Sequence, residues 1–136
     1  MPVEWIDHTG DLAMRIRASR MEDIFVEAAE AMFRQIADLA ETTPSLETVV
    51  ELEIDSPETT LREWLGELLY NFSTEGRIYS EFDVQLEQKR FRGVARGEPY
   101  DARRHPLRTE LKAVTYHQLR VEQEDNEWVA QVIFDV

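Results

Sequence analysis

Leu12-Ala13-Met14-Arg15-Ile16-Arg17-Ala18-Ser19-Arg20-Met21-Glu22-Asp23-Ile24-Phe25 changes its hydrophobic period half-way along. Leu12, Met14, Ile16 and Ala18 alternate with Arg15 and Arg17, the period-2 pattern of a half-buried strand. From Met21 the period lengthens. Ile24, Phe25, Ala28, Ala29, Met32, Phe33 and Ile36 recur every three or four residues, the broad stripe of a helix packed on a sheet. Ser19 with Glu22 three residues on predicts a capping box at the helix start. The helix is expected to fray over residues 38–41 and to stop before Pro44. A strand feeding a helix is therefore the opening unit.

Working outward, the same succession appears again. In residues 46–54, Val50, Leu52 and Ile54 alternate with Glu51 and Glu53, which predicts a strand. Ser56-Pro57 is a strong helix start, with a capping hydroxyl followed by a proline whose missing N–H costs nothing there. Leu61, Trp64, Leu65, Leu68, Leu69 and Phe72 form the apolar stripe of this second helix. The two strand–helix units resemble a weak structural duplication. Residues 78–87 and 91–96 read as strands about a turn at Gln88-Lys89-Arg90, and residues 97–106 as a turn-rich loop. Residues 111–121 and 127–136 read as two more strands, joined as a hairpin through the acidic turn 124–127. Residues 3–6 form a short strand-like segment. This order predicts an α+β fold, one domain over residues 1–136, with both helices on one largely antiparallel sheet.

Bulk composition narrows the function classes. A chain of 136 residues that is 43% hydrophobic can bury a core unaided. Fifteen Lys and Arg stand against 28 Asp and Glu, a formal charge of −13. Nucleic-acid affinity comes mainly from cationic contacts to phosphate, so direct stable RNA or DNA binding is not expected. The Arg90, Arg92, Arg96, Arg103, Arg104 and Arg108 group is a local departure that could meet phosphate or an acidic partner, or be a solvated face. The absence of cysteine excludes disulfides and thiolate chemistry. No apolar run is long enough to span a bilayer and the first residues do not form a signal peptide, so a cytoplasmic location and no membrane partner are expected.

Chemistry is concentrated at the chain ends. Asp7-His8-Thr9-Gly10-Asp11 places two carboxylates around an imidazole, with Gly10 permitting a tight turn. The other end, Val132-Ile133-Phe134-Asp135-Val136, carries a third carboxylate and the Val136 terminal carboxylate. If the ends meet, oxygen ligands converge on a hard cation, Ca2+ or Mg2+ rather than zinc or copper. The alternative is that Asp7 bonds turn amides and Asp135 is a solvent-facing strand end. His8 reads as a ligand, a general base or a turn cap. Lys112, on a face with Val114 and Tyr116, is either a snorkelling edge residue or a functional amine. No phosphate-cradling glycine loop and no nucleophile elbow is present.

These residues, together with Trp64-Leu65-Gly66-Glu67-Leu68-Leu69-Tyr70, Gly97-Glu98-Pro99-Tyr100-Asp101 and Leu111-Lys112-Ala113-Val114-Thr115-Tyr116-His117, resemble the archease family in order and approximate spacing. Gly10 stands where alanine is expected. The resemblance implies an accessory protein, not an enzyme. It would activate the GTP- and manganese-dependent RtcB-type RNA ligase of tRNA splicing and RNA repair, promoting guanylation and multiple turnover. Asp11 and Asp135 match family metal-site positions, with Asp7 and the Val136 carboxylate as co-ligands by position. Lys112 matches a residue implicated in activation, with His8 beside the site. The metal implied is Ca2+ first, with Mg2+ or Mn2+ as alternatives, and no residue is assigned a catalytic role. A stand-alone metal-dependent hydrolase and a chaperone-like binding module are the readings from other classes.

Overall fold

The computed structural model describes residues 3–8 and 10–136, His8 by its backbone alone. The elements run β1 (Val3–His8), β2 (Asp11–Ala18), α1 (Met21–Ile36), β3 (Leu46–Glu53), α2 (Pro57–Glu75), β4 (Arg77–Glu87), β5 (Arg90–Pro99), β6 (Ala113–Val114), β7 (Arg120–Glu124) and β8 (Glu127–Asp135). The α+β class holds, and every strand pairing is antiparallel.

The single sheet expected from the sequence is instead two. One has the order β1-β2-β8-β6, with β7 also on β8; the other is β3-β5-β4. Alternation marks each strand and its buried face, but says nothing about which strand edges hydrogen-bond. The helices link the sheets: α1 packs on β2, β4 and β8, and α2 on β3, β4, β6 and β7. Phe33 of α1 meets Phe72 of α2 and Tyr79 and Phe82 of β4, while Trp64 of α2 meets Phe82 and Phe91. The Trp64 indole is fully buried, and its N–H donates to the Phe25 carbonyl at 3.0 Å. Gly93 of β5 faces this indole, and a Cβ there would overlap the ring.

Local signals fared unevenly. Ser56 caps α2 as expected, its hydroxyl accepting from the Thr59 amide at 3.1 Å. The Ser19 capping box does not form. The N-cap is Arg20 with no side-chain cap bond, and Glu22 is drawn into an ion pair with Arg20 at 3.0 Å. The first helix ends at Ile36, before the expected fraying region. Strand β5 runs on through Gly97 and Glu98 to Pro99, residues expected to be loop, because β4 continues alongside as far as Arg77.

The long strand expected over residues 111–121 is broken into β6 and β7. Gln118 takes a left-handed φ of 48°, and Leu119 N–H closes a turn on Tyr116 C=O. The Thr115 hydroxyl accepts from His117 N–H at 3.2 Å, a local bond that competes with strand pairing. Tyr116 thus leaves the Lys112–Val114 segment and lies in a turn, not on a shared strand face. The hairpin from β7 to β8 forms as expected, with Asp125 and Asn126 both at positive φ, the geometry of a tight two-residue turn.

Candidate metal centre

Strand β2 lies between β1 and β8, so the first and last strands of the chain share a neighbour. In this register Asp11 pairs directly with Asp135, and Ala113 of β6 pairs with Asp135 from the other side. Directly paired residues project to the same face of an antiparallel sheet. Asp11 and Asp135 are therefore neighbours on one face at the end of the sheet, two of the four oxygen-bearing residues named from the sequence. The turn joining β1 to β2 carries Gly10 at φ 72°, a left-handed conformation that favours glycine.

Lys112 reaches this end by a different route. Its amide donates to the Asp135 carbonyl at 2.8 Å. The segment before it is anchored on the C-terminus of α1: Arg108 N–H donates to Ile36 C=O at 2.8 Å and Thr109 N–H to Gln35 C=O at 3.0 Å. These bonds satisfy helix-end carbonyls that have no partner within the helix. The Lys112 side chain is exposed and forms no ion pair among the described residues. It stands where two clefts meet, of about 710 and about 610 Å³, both of which it lines together with Ser73.

Strand parity sorts the remaining candidates. Asp7 pairs with Leu12, and so belongs to the face of Leu12 and Phe134, opposite that of Asp11 and Asp135. His8 pairs with Asp11 through the backbone; its side chain lies outside the described residues. Val136 follows Asp135 and is exposed. The donor set at the sheet end is oxygen, which suits a hard cation. Among the described residues no three His, Cys, Asp or Glu side chains gather around a common point. Two carboxylates would thus need backbone carbonyls, water or a partner's groups to reach the six to eight oxygens calcium prefers.

Three of the six arginines of the group are held beside carboxylates. Arg96 pairs with Glu47 at 3.1 Å and Asp83 at 2.7 Å, Arg104 with Glu98 at 2.9 Å, and Arg108 stands 4.0 Å from Asp38.

One cluster was visible in the sequence only as polar loop residues. His105 is fully buried and Glu98 is 4% exposed. Asp101 N–H donates to His105 Nδ1 at 3.0 Å, and His105 Nε2 meets Glu98 Oε2 at 2.8 Å. An imidazole whose Nδ1 accepts a bond carries its proton on Nε2, so a neutral His105 donates to a Glu98 carboxylate. Burial pushes the Glu98 carboxyl pKa up. Bonds from His105 and the Thr43 amide, with the Arg104 charge, outweigh that and hold it below the ordinary carboxylate value. The cluster pins residues 98–105 at the start of the segment leading to Lys112. Alternation could not reveal it, because its partners meet through a loop.

Among the described residues no helix is long and apolar enough to cross a membrane. The chain matches the model of the Archease protein family (MTH1598/TM1083) over residues 4–136. It is 45% identical to the protein archease of Methanopyrus kandleri, with each chain covered completely. It is 34% identical to that of Pyrococcus furiosus, over 98% of this chain and 97% of the other. The solution structure of Methanobacterium thermoautotrophicum protein 1598 superposes with a TM-score of 0.86 at 30% identity, covering 99% of both chains. A crystal structure of a Thermotoga maritima archease, described as a possible chaperone, shares the fold at a TM-score of 0.66 and 22% identity, over 96% of this chain and 94% of that one. A match across nearly the whole chain, joined to the same fold, makes this protein a member of the archease family.

Proposed function

We propose that this protein is an accessory activator of an RtcB-type RNA ligase, promoting the ligase's GTP-dependent guanylation so that it turns over repeatedly. The observation that carries the reading is the meeting of Asp11, Asp135 and the Lys112 backbone at one end of the sheet. These are the residues the family resemblance singles out, and they arrive from three separate parts of the chain.

In this reading Asp11 and Asp135 hold a divalent cation, Ca2+ first and Mg2+ or Mn2+ as alternatives, with Val136 offering a further oxygen. Bound there, the cation supplies a localised positive charge suited to phosphate oxygens. The chain's own residues do the rest. The rigid β2–β8 pairing keeps the two carboxylates together. Lys112 has an exposed side chain, on a backbone tied both to α1 and to β8, and can meet an anionic group of the ligase or its nucleotide. The formal charge of −13 steers the protein toward a basic, RNA-binding surface without competing for the RNA.

The test is incorporation of labelled GMP into a cognate RtcB-type ligase, with and without this protein. Faster guanylation and multiple turnover are expected with the wild type, and neither with Asp135→Ala. Full stimulation by Asp135→Ala in the absence of bound metal would remove the cation from the mechanism. No stimulation by the wild type would end the ligase reading.

A further inference from the structure

The cleft of about 710 Å³ beside Lys112 has an unusual construction. One wall is Val49, Val50, Glu51 and Leu52, four consecutive residues of β3. Successive strand residues point to opposite faces, so a cleft that touches four in a row runs along the strand's edge. The opposite wall is the consecutive run Lys112, Ala113 and Val114, the edge of β6. Each is an edge strand: β3 pairs with β5 alone and β6 with β8 alone among the described residues. The cleft therefore lies between open edges of the two sheets, where unpaired backbone donors and acceptors invite another strand.

Its floor is α2, at Gly66. Glycine weakens a helix interior. Here no neighbour requires it, since nothing lies within 4 Å of where its Cβ would stand. The bare helix surface instead leaves room for an occupant. Glu51, Glu63 and Glu67 line the same cleft, and none of them forms an ion pair among the described residues. Arg62, also on the lining, is turned onto the Tyr116 ring at 4.3 Å.

Apolar exposure follows the same geography. The exposed large hydrophobics among the described residues are Val49, Tyr70, Leu107, Tyr116 and Val136. Val49 and Tyr70 line this cleft, and Leu107 lines the neighbouring one that meets it at Lys112. Tyr116 lies on Arg62, and Val136 follows Asp135. Clustered apolar surface rimmed by charge marks an interaction site.

We infer that this cleft receives an extended, basic segment of the partner ligase, which adds as a strand to the open edge of β3. Such a strand gains main-chain hydrogen bonds from the edge and specificity from alternate side chains. Its basic side chains meet Glu51, Glu63 and Glu67, and its apolar ones lie on Val49 and Tyr70. The segment passes beside Lys112, which aligns the Asp11–Asp135 end with the ligase. The inference rests on the ligase reading above.

The test uses the full chain and a cognate RtcB-type ligase. Amide exchange is followed on the wild-type complex, and binding and guanylation are measured for Gly66→Trp, which fills the cleft, and Gly66→Ala, which does not. The amides of β3 are expected to exchange about tenfold more slowly in the complex. Gly66→Trp is expected to weaken binding about tenfold or more, as loss of an interface centre does, while Gly66→Ala binds like wild type. If Gly66→Trp fails to fold, Glu63→Arg/Glu67→Arg takes its place with the same expectation. Stimulated guanylation with β3 amides unprotected and Gly66→Trp binding normally would overturn the docking site and leave the activator role standing. Protection of β3 that rises with this protein's own concentration, without ligase, would assign the cleft to a second copy instead. A wild type that neither binds nor stimulates the ligase overturns both readings.

Discussion

Asp11 and Asp135 are direct partners across the antiparallel pair β2–β8, so two carboxylates 124 positions apart in sequence share one end of one sheet face. Like charges placed directly opposite each other destabilise a sheet. Without a cation, Asp135→Asn is therefore expected to stabilise the protein slightly, by up to about 1 kcal/mol. Addition of Ca2+ should reverse the order. A bound cation stabilises the native state by mass action, about 2.7 kcal/mol at a hundredfold excess over Kd. Thermal unfolding with EDTA and with Ca2+ measures both signs. A wild type whose melting temperature ignores Ca2+, Mg2+ and Mn2+ would argue against any cation at this pair.

Lys112 is exposed and forms no ion pair among the described residues, so its side chain contributes little to stability. Lys112→Met is expected to unfold within about 0.5 kcal/mol of wild type, the usual range for a surface substitution. Its stimulation of ligase guanylation should be lost. Denaturant melts and GMP transfer, run on the same preparation, separate the two effects.

Glu98 predicts an acid dependence. Its folded pKa lies below the ordinary carboxylate value. The stability it contributes is therefore fully present above that unfolded value, and is lost as pH falls through the lower folded value. Glu98→Gln should lower stability near pH 7 by about 1–3 kcal/mol, since it leaves His105 and Arg104 without their carboxylate. The gap between variant and wild type should narrow below about pH 4. Urea melts between pH 3 and pH 7 would show a constant gap if the carboxylate were not the cause.

Gly93 lies against the buried Trp64 ring, where an added Cβ would overlap it. Gly93→Val is expected to cost about 1–3 kcal/mol, the range for overpacking a filled core. Tryptophan fluorescence and a thermal melt test this directly. An unshifted melt would mean that the indole can move aside, even though its N–H is committed to the Phe25 carbonyl.

Ser56→Ala removes the hydroxyl that accepts the Thr59 amide at the start of α2. The loss should be about 1 kcal/mol, as for other capping residues, and a urea melt reads it.

Much of the architecture was legible from hydrophobic period alone. Residues 12–18 and 46–54 announce strands, and Leu61, Trp64, Leu65, Leu68 and Leu69, spaced three and four apart, are all buried on α2. Period reports which side of an element meets the core, and nearest-neighbour chemistry decided caps such as Ser56. The Asp7–Asp11 stretch and the final Asp135 stood out as residue types suited to a hard cation, and the strand register brings Asp11 and Asp135 of these together. Tertiary structure alone decided the rest. It split the strands into two sheets, broke residues 111–121 at Gln118, buried His105 against Glu98, and set Asp7 on the face away from Asp11. Each of these depends on which strand edges bond and in what register. Those bonds join backbone groups that every residue carries, so side-chain order leaves no direct trace of them.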